Sequence, residues 1–198
     1  VKAVGQAASL ATDRLAAGPT GIGRQMMAIV CTRPGRQGKV YLAADDFPCF
    51  VPDEEAIRKR IEELCQRTGL TVPDERIEAN PRSMDTQYFG FEVWGDLFTP
   101  RQMLCLLSIA AAVRDSVGQA ASLSLDPERV KAVTGYLAAA VDREAEDSSS
   151  LCRWNPNAEK MQGTFGRQAL PMVWDFCEIN PFGDSVGDWR SLVGLQVN

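Results

Sequence analysis

The segment Thr99-Pro100-Arg101-Gln102 constrains this chain more than any other. Thr99 offers a side-chain oxygen to the bare amides of a helix start. Pro100 has the φ that the first helical position wants and no N–H to leave unpaired. Gln102 completes a capping box. Met103, Leu104, Leu106, Leu107, Ile109, Ala110 and Val113 follow, and they cover more than one face. A helix of that kind has to be covered on several sides. The pattern predicts a central, buried helix running to about residue 115.

A second start, Asp126-Pro127-Glu128, opens a helix to about residue 145, with Val130, Val133, Leu137, Ala140 and Val141 on one side. The two helices are expected to pack antiparallel. Upstream, Asp53 caps a helix over about 53–67, with Ala56, Ile57, Ile61, Leu64 and Cys65 as its apolar stripe and Gly69 as its stop. Met26 to Thr32 and Lys39 to Ala43 are rich in β-formers and are separated by Pro34-Gly35-Arg36-Gln37-Gly38, which predicts a hairpin. Weaker patterns predict a short helix over about 3–17, a strand from Phe89 to Trp94, and a last helix over about 167–178 on Leu170, Val173, Trp174 and Cys177. Asn180 to Asp184 reads as loop. The heptapeptide Val-Gly-Gln-Ala-Ala-Ser-Leu occurs at 4–10 and again at 117–123. A structural repeat extends over 20 residues or more, roughly, so this one reads as a local coincidence.

These patterns imply an α+β fold: an N-terminal β-hairpin or small antiparallel sheet with helices, followed by a mostly helical half. Two parts are expected, 1–95 and 96–198, which also fit one continuous domain.

Several chemistries are excluded by what the chain lacks. It has no histidine, which removes Ser-His, Cys-His and His-metal mechanisms. The cysteines at 31, 49, 65, 105, 152 and 177 form no Cys-x-x-Cys pair, so no internal zinc site is expected. Several lie in apolar contexts and read as free thiols of a cytoplasmic protein. No signal sequence and no bilayer-length apolar run is seen. Basic residues number 21 against 26 acidic, a net charge of −5. A stand-alone nucleic-acid binder usually carries a basic excess, so any DNA contact here rests on a local patch. The acidic pairs Asp45-Asp46, Glu54-Glu55 and Glu62-Glu63 read as solvated surface, and Glu144-Ala145-Glu146-Asp147 reads as a helix end.

The densest polar-aromatic stretch runs from Leu151 to Gln168. Arg153, Lys160 and Arg167 suit phosphates, Trp154 and Phe165 suit stacking on a base, and Asn155, Asn157 and Gln162 suit base edges. The same residues also fit a loop that ties two helices together, with the aromatics as core anchors. Asn180-Pro181-Phe182-Gly183-Asp184-Ser185-Val186-Gly187 departs from the cofactor loop Asp-x-Phe-x-Gly-x-Gly in its first residue and glycine spacing, and a helix is expected before it. It is therefore not read as a cofactor site.

Three segments together resemble one family: Gly95-Asp96-Leu97-Phe98-Thr99-Pro100-Arg101-Gln102; Trp154-Asn155-Pro156 with Glu159-Lys160; and Thr164 through Phe176 with Asn180-Pro181-Phe182. In that order they look like the central region of the DUF1156-type DNA methylases, adenine-specific methylases that contain a zinc ribbon. Gly23 to Val30 and Val40-Tyr41-Leu42 are similar to the segment that follows the ribbon. The resemblance implies a parent enzyme that uses S-adenosylmethionine, with a glycine-rich cofactor motif before this region and a catalytic Asp-Pro-Pro-Tyr after it. Neither motif, nor the ribbon cysteine pairs, occurs here. The chain also begins at Val1 rather than methionine. It is therefore expected to be an internal piece with no cofactor of its own and no catalysis alone. It would serve as a central accessory or target-recognition region of a DNA amino-methyltransferase. Its partners would be DNA and the catalytic portions of the parent, with no membrane. The residues expected to contact DNA are Arg153, Trp154, Asn155, Lys160 and Arg167, with Arg101 next. The competing expectation is a protein–protein docking module of a methylase or phage-defence assembly that never touches DNA.

Overall fold

The structure is a computed structural model describing residues 2–10, 24–35, 37–51, 53–78, 85–166, 168–183 and 187–197. The fold is α+β. Its main sheet has four strands, β1 (Lys2–Leu10), β2 (Arg24–Thr32), β3 (Lys39–Ala43) and, after two shorter strands, β6 (Asp175–Ile179). Their order is β3-β2-β1-β6 and every pairing is antiparallel. The predicted β2–β3 hairpin is present, with Gly35 at φ 72° and Gly38 at φ 90° in its turn, a backbone region open to glycine. The sheet draws its strands from both sides of residue 95.

Helix α1 (Glu54–Thr68) starts where expected: Asp53 accepts from the Ala56 N–H at 3.1 Å, and Gly69 closes the helix at φ 69°. Helix α2 (Pro100–Ser122) carries the anticipated capping box, with the Thr99 N–H donating to Gln102 Oε1 at 2.8 Å. It outruns the expected end by seven residues, 115 to 122. By length and composition α2 would suit a membrane span, but here α1 and α3 (Pro127–Asp147) pack along it. Asp126 caps α3. Two apolar clusters form the core. One gathers Ile77, Leu97, Leu151, Leu170, Val173 and Phe176. The other gathers Ile61, Leu64, Met103, Leu107 and Ala111 between α1 and α2. Phe98 packs against both.

Three sequence expectations fail, and one element goes unforeseen. The helix over 3–17 is instead strand β1, with residues 11–17 outside the described residues. Flanked by β2 and β6, this segment finds backbone partners on both edges, and that outweighs its Ala-rich propensity. The strand Phe89–Trp94 is replaced by two 3-10 turns, Asp85–Phe89 and Trp94–Leu97. Asp96 Oδ2 takes the N–H groups of Glu92 and Val93, at 2.8 and 2.9 Å, so those donors are lost to any ladder. In place of the helix over 167–178, the described residues 168–178 are non-helical chain ending in β6. Leu170 and Val173 are buried as expected, but from a non-helical backbone in which Pro171 has no N–H to pair. Finally, α4 (Trp189–Val197) was not anticipated. Asp188 caps it, accepting from the Ser191 N–H at 2.7 Å.

Candidate nucleic-acid interface

The stretch singled out at 151–168 folds around a hairpin. Strands β4 (Arg153–Asn155) and β5 (Lys160–Gln162) pair antiparallel, Arg153 opposite Gln162, Trp154 opposite Met161 and Asn155 opposite Lys160. Side chains alternate across a strand, and directly paired residues share a face. Arg153, Asn155, Lys160 and Gln162 therefore stand on one face, and Trp154 and Met161 on the other. The first face meets solvent: Arg153, Lys160 and Gln162 are exposed and Asn155 is half-buried. Among the described residues neither Arg153 nor Lys160 forms an ion pair.

The turn is fixed from within. Asn155 Oδ1 accepts from the N–H groups of Asn157 and Ala158, both at 3.1 Å, and Glu159 closes it at φ 48°. The amide oxygen of Asn155 is thus committed, leaving its NH2 group to face outward chemistry. The second face is docked. Trp154 Nε1 donates to Tyr41 Oη at 3.0 Å, and the two rings meet edge-on with centroids 6.4 Å apart. The Lys39 N–H donates to Glu159 Oε1 at 3.1 Å, and the Cys177 N–H to the Cys152 carbonyl at 3.0 Å. Trp154 is therefore the anchor that holds the hairpin to β3. Of the predicted stacking residues, Phe165 is the more open, at 45% exposed, and it leans on Trp94.

One predicted contact falls elsewhere and one is not described. Arg167 lies outside the described residues. Arg101 is in the first turn of α2, where its Nε donates to Glu178 Oε2 at 2.7 Å and its Nη2 bonds the same oxygen. Thr99 Oγ1 donates to the other carboxylate oxygen at 2.9 Å. Arg101 and Thr99 thus moor α2 to the buried Glu178 of β6. Beside them a cleft of about 260 Å³ opens between Arg24, Val51, Glu54 and Phe176.

Behind the hairpin lies a polar knot. Ser149 and Thr164 share a hydrogen bond of 2.6 Å, Thr164 Oγ1 donates to the Glu146 carbonyl at 2.8 Å, and Ser150 bonds the Leu97 carbonyl through both its N–H and its hydroxyl. Next to it Glu144 is fully buried, and neither of its carboxyl oxygens has a hydrogen-bond partner among the described residues. Burial pushes its pKa up to about 7, and the like charges of Asp147 and Asp188 add to the rise. Asp147 is also raised by burial, against the pull of Arg143, whose Nε lies 3.1 Å from Asp147 Oδ2. The helix-end reading located this segment correctly but missed its burial. The signal was available, because Glu144 continues the Leu137, Ala140, Val141 stripe at helical spacing.

Four of the six thiols are held in the neutral form. Burial pushes Cys105 up to about 12, and raises Cys31, Cys152 and Cys177 as well, whereas nucleophilic thiols are depressed. Among the described residues no group of three or more acidic or cysteine side chains is placed to hold a metal. The Asn180 segment is preceded by strand β6, not by the helix expected there, and Phe182 at its tip is 77% exposed. Comparison with protein-family models, with curated proteins and with solved structures finds no match to this chain.

Proposed function

We propose that this chain is the central, target-facing region of an S-adenosylmethionine-dependent DNA amino-methyltransferase, and that the solvent face of β4–β5 is the surface it turns to DNA. The observation that carries the reading is the hairpin's division of labour. Its inner residues moor it to β3. Its outer residues are two cations without an ion pair among the described residues and two amides, of which Asn155 has its oxygen committed to the turn and its NH2 group left for an outside acceptor. A two-stranded ribbon fits the major groove, where Arg and Lys meet phosphate or guanine and Asn and Gln meet adenine. The overall charge of −5 is compatible with this because the contact is local and the parent supplies the rest of the grip. The cofactor and the catalytic motif belong to the parent, in line with the family resemblance.

The test is the salt dependence of duplex binding by anisotropy. Each phosphate contact removed lowers the slope of log K against log salt by about 0.9, so Arg153→Ala with Lys160→Ala is expected to lower it by nearly two. Asn155→Ala should alter sequence preference with little change in slope. Equal slopes for wild type and the double variant, or no binding by either, overturns the reading.

A second reading has its own support. Leu123, Leu125, Val133 and Tyr136 are each at least half exposed at the α2–α3 connection and along α3. In that reading this end docks on the catalytic portion of the parent and DNA is never touched. Leu125→Glu with Tyr136→Glu would then abolish co-purification with the catalytic portion, while the hairpin variants leave it intact.

A further inference from the structure

We propose that Glu144 is a proton-operated latch that holds α4 against the α2–α3 pair. The argument starts from solvation. An ionised carboxylate is strongly disfavoured in a buried site without hydrogen-bond donors. Glu144 is fully buried and both its oxygens lack partners, and Asp147 Oδ1 and Gln102 Nε2 are also buried without partners.

The groups around Glu144 come from three elements. On α2 it is Cys105, whose neutral thiol the Glu144 charge influences. On α3 itself they are Asp147 and, beyond it, Arg143, already committed to Asp147 and Glu146. At the entry to α4 stands Asp188, 4% exposed, with the exposed Arg190 following on the helix. The charges acting on Glu144 are Asp147 and Asp188, both of like sign.

A neutral Glu144 places no charge beside Asp147 and Asp188. An ionised one adds a third negative charge to them. Of the elements involved, α4 is the one that can yield. It has nine residues and packs on α3, and its seat depends on Asp188, on the Trp189 N–H bond to Pro181 and on buried Leu192. Asp188 is bound to its capping role, since its carboxylate accepts from the Ser191 N–H. Repulsion between Glu144 and Asp188 therefore bears on the α4 seat.

The sign follows from linkage. The docked state holds a proton up to about pH 7 that a solvated Glu144, with its ordinary value near 4.5, releases. Opening of α4 is thus favoured as pH rises, about tenfold per pH unit between those two values and level above the upper one.

Amide exchange of residues 189–197, corrected for intrinsic chemistry, tests this across about pH 5 to 8. Wild type is expected to show that rise and plateau, and Glu144→Gln to exchange at a pH-independent rate. Should the substitution unfold the chain, the carboxyl ¹³C shift of Glu144 in the wild-type protein decides, with a midpoint near 7 expected. A midpoint in the ordinary carboxylate range overturns the proposal. So does α4 exchange that is flat in wild type, or equally pH-dependent in both proteins.

Discussion

Glu178 shows how much one side chain can hold. It is 8% exposed, and its two oxygens take the Arg101 guanidinium and the Thr99 hydroxyl, so the start of α2 hangs on β6 through a single carboxylate. Removing one partner of a buried pair leaves the others unsatisfied and typically costs about 3–5 kcal/mol. The Arg101 side chain is 36% exposed and recovers some hydration, so Glu178→Ala is expected near the low end, about 3 kcal/mol. A lowered denaturation midpoint at unchanged m-value checks it. The caps Asp53, Thr99 and Asp126 could be read directly from the sequence, because a cap is a contact between residues two or three apart. The role of Arg101 could not. Its partner lies 77 residues away, and nothing local marks a cation for an ion pair rather than a phosphate. Glu144 is the intermediate case: it lies at helical spacing on the α3 stripe, yet with Glu146 and Asp147 around it the segment reads as a helix end.

At the scale of elements, the most instructive comparison is internal. Val-Gly-Gln-Ala-Ala-Ser-Leu is β-strand at 4–10 and, at 117–122, the end of α2, with Leu123 as the C-cap. Identical local sequence takes both states, so its propensity decides neither. The same limit explains why β1, β6 and α4 escaped sequence reasoning while α1, α2, α3 and the β2–β3 hairpin, each with its own start and stop chemistry, did not. The hairpin β4–β5 falls between. Its residues drew attention, but the division into an inner and an outer face required the register. Two glycines give opposite expectations. At Gly95 a Cβ would sit 2.6 Å from the Pro73 carbonyl oxygen and 2.9 Å from Val72 Cγ1, so Gly95→Ala must displace backbone, at a cost of about 1–3 kcal/mol. At Gly118, inside α2, nothing lies within 4 Å, and Gly118→Ala should raise stability by about 0.5–1 kcal/mol. Paired thermal melts separate the two.

For the molecule as a whole, Phe98 joins the α1–α2 cluster to the cluster beneath β6. If the clusters are one cooperative unit through it, Phe98→Ala lowers stability by about 3 kcal/mol and leaves a single transition. Far-UV and near-UV melts that separate in wild type would show two units instead. The order of the main sheet carries a consequence for how the chain is made. Strand β1 is an interior strand, yet its neighbour β6 is encoded some 165 residues later, from Leu10 to Asp175. At ribosomal speeds that interval is about ten to thirty seconds, during which one full side of β1 has no hydrogen-bonding neighbour from its own sheet. An open strand edge of that kind invites pairing with other nascent chains. The hazard of aggregation for this fold is concentrated in translation, when a chaperone has most to shield, and it ends when the final strand takes its place.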